Sequence, residues 1–100
     1  MKLVQITPLE RTRLYGAMVK KEAEIRKQRA GAFSRVGVKK SNKAKWKHIR
    51  FKGWINLERG QSEVVTAKVN SPDWQLLAAF VGWIDRHFGD QVQTVNIKYH

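Results

Sequence analysis

An α+β fold is predicted by three observations: a capping box at the start of a basic N-terminal helix, period-two alternation from Trp46 onward, and a strongly apolar helix bounded by Ser71-Pro72-Asp73 and Gly89. The expected order is α-β-β-α-β. An N-terminal basic helix precedes a β-hairpin, an amphipathic helix and a C-terminal strand, giving a three-stranded sheet with a helix packed on one face.

The first helix is expected from the capping box Thr7-Pro8-Leu9-Glu10, in which Thr7 accepts the N3 amide, Pro8 occupies N1 and Glu10 reaches back. It would run to about Arg29. Leu14, Ala17, Met18 and Ile25 share a narrow face, and Glu22 and Arg26 form an i,i+4 pair. The remaining positions are mostly cations, so this helix has a thin apolar seam that must dock on something.

Residues 30–45 hold isolated Gly, Ser and Asn among Arg35, Lys39, Lys40, Lys43 and Lys45, with no sustained period, and are read as a flexible basic loop. A brief strand over Phe33–Val38 is compatible with the pattern. From Trp46, the residues Ile49, Phe51, Ile55 and Leu57 alternate with His48, Arg50, Lys52, Trp54 and Asn56, which predicts a half-buried strand bent or bulged at Gly53. Glu58-Arg59-Gly60-Gln61 supplies the turn into a second strand, Ser62 to Val69.

Ser71-Pro72-Asp73 combines an N-cap, a proline at N1 and a first-turn carboxylate, so a helix is expected from Pro72 to about Phe88. Trp74, Leu77, Phe80, Val81, Ile84 and Phe88 form one broad apolar face. Leu76, Ala79 and Trp83 lie beside it, more apolar surface than a small sheet requires. Gly89-Asp90 ends the helix, and Val92 to Tyr99 forms the last strand, with Val95, Ile97 and Tyr99 on one side and Thr94, Asn96 and Lys98 on the other.

Charge is concentrated. Of 20 Lys and Arg residues, 15 fall between Arg11 and Lys52, against Glu22 and Glu24 alone, so that segment carries +13 while the whole chain carries +12. A segment so dense in one sign is most easily kept when a polyanion neutralises it. The 100 residues suit a single small domain. With no cysteine there are no disulfides or thiolate metal sites, and a cytoplasmic location is the expectation. The longest apolar run, Leu76 to Ile84, falls well short of the ~20 residues of a membrane span, so no membrane partner is expected.

The leading functional reading is a small nucleic-acid-binding protein, with RNA or single-stranded DNA favoured. Arg35, Lys39, Lys40, Lys43, Lys45 and Lys47 would form a phosphate-neutralising arm. Arg50, Lys52 and Trp54 would lie on a sheet face with His48, Asn56, Thr66, Lys68, Asn96 and Lys98, where a Trp ring gives a base a stacking platform. The competing reading of that face is that the N-terminal helix lays its Leu14/Met18/Ile25 seam across it. A second function class is a protein-interaction module or homodimer using Leu76, Ala79 and Trp83. A third is a toxin-like, metal-independent ribonuclease built on His48, Arg50 and Glu58, since RNA supplies its own 2′-OH nucleophile. Binding is favoured over catalysis. The spacing of His48, His87 and His100 suits no metal site, His87 is read as a helix C-terminal cation, and no cofactor is expected because Gly-rich phosphate loops and nucleophile elbows are absent.

Overall fold

A computed structural model describes residues 1–37 and 41–99. The elements are β1 (Lys2–Pro8), α1 (Leu14–Lys27), β2 (Phe33–Arg35), β3 (Lys43–His48), β4 (Trp54–Arg59), β5 (Val65–Asn70), α2 (Gln75–Phe88) and β6 (Val92–Tyr99), with a short 3-10 turn at Gln61–Glu63. The strands form one antiparallel sheet of six, ordered β2-β3-β4-β5-β1-β6. The α+β class is as expected, and the three-stranded sheet is corrected to six strands.

The largest correction lies at the N-terminus. Thr7 and Pro8, expected to open a helix, close strand β1, and α1 begins only at Leu14, where Arg13 is an N-cap without a side-chain cap bond. Magnitudes explain the outcome. A capping box contributes about 1 kcal/mol, whereas Val4 and Ile6 are fully buried in β1 and each such burial is worth roughly 1.5–3 kcal/mol. β1 also completes a ladder on each side, pairing Val4 with Ala67 of β5 and with Ile97 of β6. Pro8 sits beside a register shift, where its missing N–H does least harm.

A second correction concerns the strand expected over Trp46–Leu57. It is two strands, β3 and β4, joined by a loop over residues 49–53. Gly53 enters β4 with φ +108°, a left-handed conformation that favours glycine, and a Cβ there would collide with the Asn70 carbonyl oxygen. Part of the range 30–45 belongs to the sheet: β2 pairs Phe33 with His48 and Arg35 with Trp46, and β3 starts at Lys43. Lys39 and Lys40 lie outside the described residues.

Alternation decides which side of the sheet is dry. Val4, Ile6, Phe33, Ala44, Trp46, Ile55, Leu57, Val65, Ala67 and Val69 are all buried, and they join one core with Leu14, Tyr15, Met18 and Val19 of α1 and Leu76, Leu77, Phe80, Ile84 and Phe88 of α2. Both helices therefore pack on the same face. Glu22 of α1, only 2% exposed, sits in this layer and is held by Arg26 at 3.5 Å, the pair expected from their spacing.

The start of α2 is near the expected one. Ser71 Oγ accepts from the Asp73 N–H at 3.5 Å and donates to the Lys52 carbonyl, while Asp73 Oδ1 accepts from the Gln75 N–H at 3.0 Å. Trp74, expected on the buried face, is 67% exposed because it precedes the first helical turn. Gly89 follows α2 with ordinary helical angles, not the left-handed ones a C′ glycine adopts. Trp83 finds its partners inside the molecule, its ring centroid 5.0 Å from that of Trp46, and Leu76 is fully buried. The surplus apolar side expected at Leu76, Ala79 and Trp83 is thus taken up by the wider sheet, and Ala79 is itself half-buried against the core.

Candidate nucleic-acid interface

The face opposite the helices is built by the alternate residues of five long strands and one short one. Register places them in rows. Lys43, Glu58, Thr66, Gln5 and Asn96 are successive cross-strand neighbours, followed along the strands by Lys45, Asn56, Lys68, Leu3 and Lys98. Lys47 pairs with Ser34, and Trp54 with Asn70. Strands about 4.8 Å apart set Lys45, Lys68 and Lys98 at intervals of roughly 10 Å across the sheet.

Among the described residues nothing covers this face. Lys43, Lys45, Lys47, Asn56, Lys68, Asn96 and Lys98 are all exposed. The N-terminal helix, the one element available to occlude it, docks on the other side because its stripe Leu14, Tyr15, Met18 and Val19 fits the core. A hollow of about 350 Å³ lies over β3, β4 and β5, lined by Lys43, Lys45, Asn56, Glu58, Thr66 and Lys68 among others. At its side Lys45 Nζ stands 4.8 Å from the centroid of the Trp54 ring, which is 36% exposed. Lys43, Lys45, Lys47, Lys68 and Lys98 outnumber Glu58, the face's one carboxylate among the described residues, so the surface attracts anions.

The expected site residues divide between the two sides. Lys43, Lys45, Lys47 and Trp54 come together on the open face, as do Asn56, Lys68 and Lys98. Arg50 and Lys52 are exposed in the loop between β3 and β4, where Ser71 holds the Lys52 carbonyl at 3.0 Å. Arg35 does not join them. It shares the covered side with Phe33 and lines a groove against α1 with Tyr15, Lys20, Glu22 and Arg59. The basic segment Arg11–Lys52 is therefore split by the fold: the cations of α1 and its flanks lie on one side of the sheet, those of β3 on the other.

His48 is also on the covered side. Its Nδ1 accepts the backbone N–H of Arg50 at 3.0 Å and of Phe51 at 3.4 Å, and its ring stacks on Phe51 at 4.5 Å between centroids. Burial, with the nearby Arg50 charge, holds its pKa below the ordinary imidazole value. The ribonuclease constellation His48, Arg50 and Glu58 is not assembled, because Glu58 pairs with Lys43 at the opposite end of β3 and points to the open face. Five residues of strand separate the two positions, roughly 16 Å. His87, expected as a cation at the end of α2, is pushed down by burial and by Lys21 and Arg86, which favours the neutral ring.

Lysines 43, 45 and 47 carried a signal for their common face: Lys-Ala-Lys-Trp-Lys-His is a strict alternation, continuous with β3. The contribution of β1, through Leu3, Gln5 and Thr7, depended on recognising β1 at all. No helix among the described residues is long and apolar enough to cross a membrane, and no group of three His, Cys, Asp or Glu among them could hold a metal ion. In comparison with known proteins, the chain matches no family model, no curated protein and no solved structure.

Proposed function

We propose that the protein binds nucleic acid, RNA or single-stranded DNA, laid across the open face of its sheet. The observation that carries this reading is the uncovered basic surface around Trp54: five lysines, Lys43, Lys45, Lys47, Lys68 and Lys98, on a face both helices leave free. Ammonium groups neutralise phosphates, Asn56, Thr66 and Asn96 offer hydrogen bonds, and Trp54 offers a ring for an unstacked base, worth about 1–3 kcal/mol. A broad sheet face suits an extended single strand better than the grooves of a duplex, which accept a helix or a two-stranded ribbon. Arg50 and Lys52, exposed in the loop between β3 and β4, add cations at one end of the sheet.

A labelled oligonucleotide titrated at two salt concentrations tests the proposal. Four to five phosphate contacts on a single strand correspond to a slope of log affinity against log salt of about −3 to −3.5. Absence of binding at low salt, or binding indifferent to salt, removes it.

A further inference from the structure

A second cleft lies on the helix side, and we infer that it receives one unstacked nucleotide, its base among the rings of Phe33, His48 and Trp83 and its phosphate at Arg86. The inference rests on the reading that the partner is a nucleic acid. The cleft, of about 450 Å³, is enclosed by the end of α1 at Ile25 and Gln28, the segment 30–33 leading into β2, His48 at the end of β3, and the outer side of α2.

Four rings line it in a continuous chain. His48 meets Phe33 edge-on at 4.9 Å between centroids, Phe33 meets Trp83 at 6.3 Å, and Trp83 meets His87 at 4.9 Å. Between them the walls are small, with Ala30, Ala32, Ala79 and Gly82, so a flat ligand can approach. Arg86 is exposed and, among the described residues, is the one formally charged residue in the lining, with no carboxylate beside it. Lys21, outside the lining, lies close enough to act electrostatically on His87. Rings with a cation and no opposing acid suit a planar, anionic ligand.

The two histidines serve this purpose as neutral groups. With Nδ1 of His48 occupied by two backbone N–H groups, its proton belongs on Nε2, which leaves a donor for a base edge. Placement joins the cleft to the open face. β2 is only three residues long and forms the edge of the sheet, with Ser34 beside Lys47 on one side and Phe33 on the other. A strand that crosses Lys47 and leaves over this edge arrives at the cleft.

The test is an NMR titration of the whole protein with uridine and adenosine 5′-monophosphates, with the nucleosides and inorganic phosphate run separately. The nucleotides are expected to move the ring signals of His48 and His87 and the Trp83 indole, with each half-ligand at least about tenfold weaker. A Cβ at Gly82 meets nothing within 4 Å. Gly82→Leu therefore adds bulk at the cleft wall, its intact fold checked by circular dichroism, and should abolish these shifts, while Gly82→Ala retains them and Arg86→Gln weakens nucleotide binding toward that of the nucleoside. Silence of these signals at millimolar nucleotide, or shifts unchanged in Gly82→Leu, overturns the inference. Oligonucleotide binding that persists in that case leaves the open-face proposal standing. Nucleotide binding in the cleft without oligonucleotide binding sinks the open-face proposal and, with it, the reading of the bound nucleotide as part of a strand.

Discussion

Lys45 holds its ammonium 4.8 Å from the centroid of the Trp54 ring, across the ladder in which Lys45 itself pairs with Asn56. The contact is diagonal, of the kind that long side chains make on one face of neighbouring strands. An exposed cation–π pair contributes only about 0.5–1 kcal/mol, so under the proposed function a base would displace the lysine and release its charge to a phosphate. Trp54→Ala should thus lower oligonucleotide affinity by about 1–3 kcal/mol while changing folding stability by less than about 1 kcal/mol. Indole fluorescence of the wild-type protein, compared with that of the variant, reports both.

Charge placement gives a sharper contrast. Lys68→Gln and Lys98→Gln, on the open face, should each reduce the salt slope for a single strand by about 0.7. Arg35→Gln, on the covered side, should leave it unchanged. Equal effects from Arg35 and Lys68 would mean that the strand does not lie on the open face.

Acid should weaken the fold through its histidines. His48 and His87 are both depressed in the folded state, His48 by burial and then Arg50, His87 by burial and then Lys21 and Arg86. As pH falls below about 6.5, the unfolded chain takes up these protons first, so stability is lost from there downward through the folded values. Protonation of His48 at Nδ1 also removes the acceptor that fixes the loop carrying Arg50 and Lys52. Urea midpoints between about pH 7.5 and 5 should fall in the wild type and fall less in a His48→Gln, His87→Gln double variant.

Gly53 is a single point on which the β3–β4 loop turns. Its φ of +108° and its approach to the Asn70 carbonyl leave no room for a methyl group. Gly53→Ala should destabilise the protein by at least about 1–3 kcal/mol, with Gly37→Ala as a control in which φ is +74° but the space is open. A Gly53→Ala variant as stable as wild type would show that the loop can reform elsewhere.

Deletion of residues 30–45 tests how far that range is structural. A flexible loop could be replaced by a short linker without loss of the sheet. Here the deletion removes β2, with the buried Phe33, and the first three residues of β3, with the buried Ala44. Loss of a Phe-sized core contact alone amounts to about 3–5 kcal/mol, so the shortened chain should be unfolded or molten by circular dichroism. A native spectrum would place the core elsewhere.

Legibility followed the range of the interactions. The Ser71-Pro72-Asp73 signal, the apolar stripe from Leu76 to Phe88, the turn at Gly60 and the strand Val92–Tyr99 were readable because each is settled by neighbours a few residues away. β1 was not, since Thr7-Pro8-Leu9-Glu10 is a good local helix start and the pairing that defeats it involves residues about sixty and ninety positions distant. β2 is too short to show a period. Of the open face, Trp54 is assigned by alternation, whereas composition names Lys43, Lys45 and Lys47 as part of an arm and not as sheet residues. Composition makes Arg35 part of that arm because its strand is hidden in a Gly- and Lys-rich stretch, and alternation puts His48 on the open side because the loop over residues 49–53, which separates β3 from β4, resets the alternation after it.

The position of β1 has a kinetic consequence. Although it comes first in the chain, it lies between β5 and β6, so both its edges stay bare until residues 65–70 and 92–99 have been made. During synthesis Val4 and Ile6 must wait without partners, and the sheet can close only when the last strand arrives. Helix α2 and the β4–β5 hairpin can form early, but the ladder of Lys2 with Tyr99 is among the most non-local a chain of this size can make. Folding should accordingly be slow for its length, in the millisecond-to-second range that non-local sheets occupy. The waiting strand is the segment a holding chaperone would find exposed.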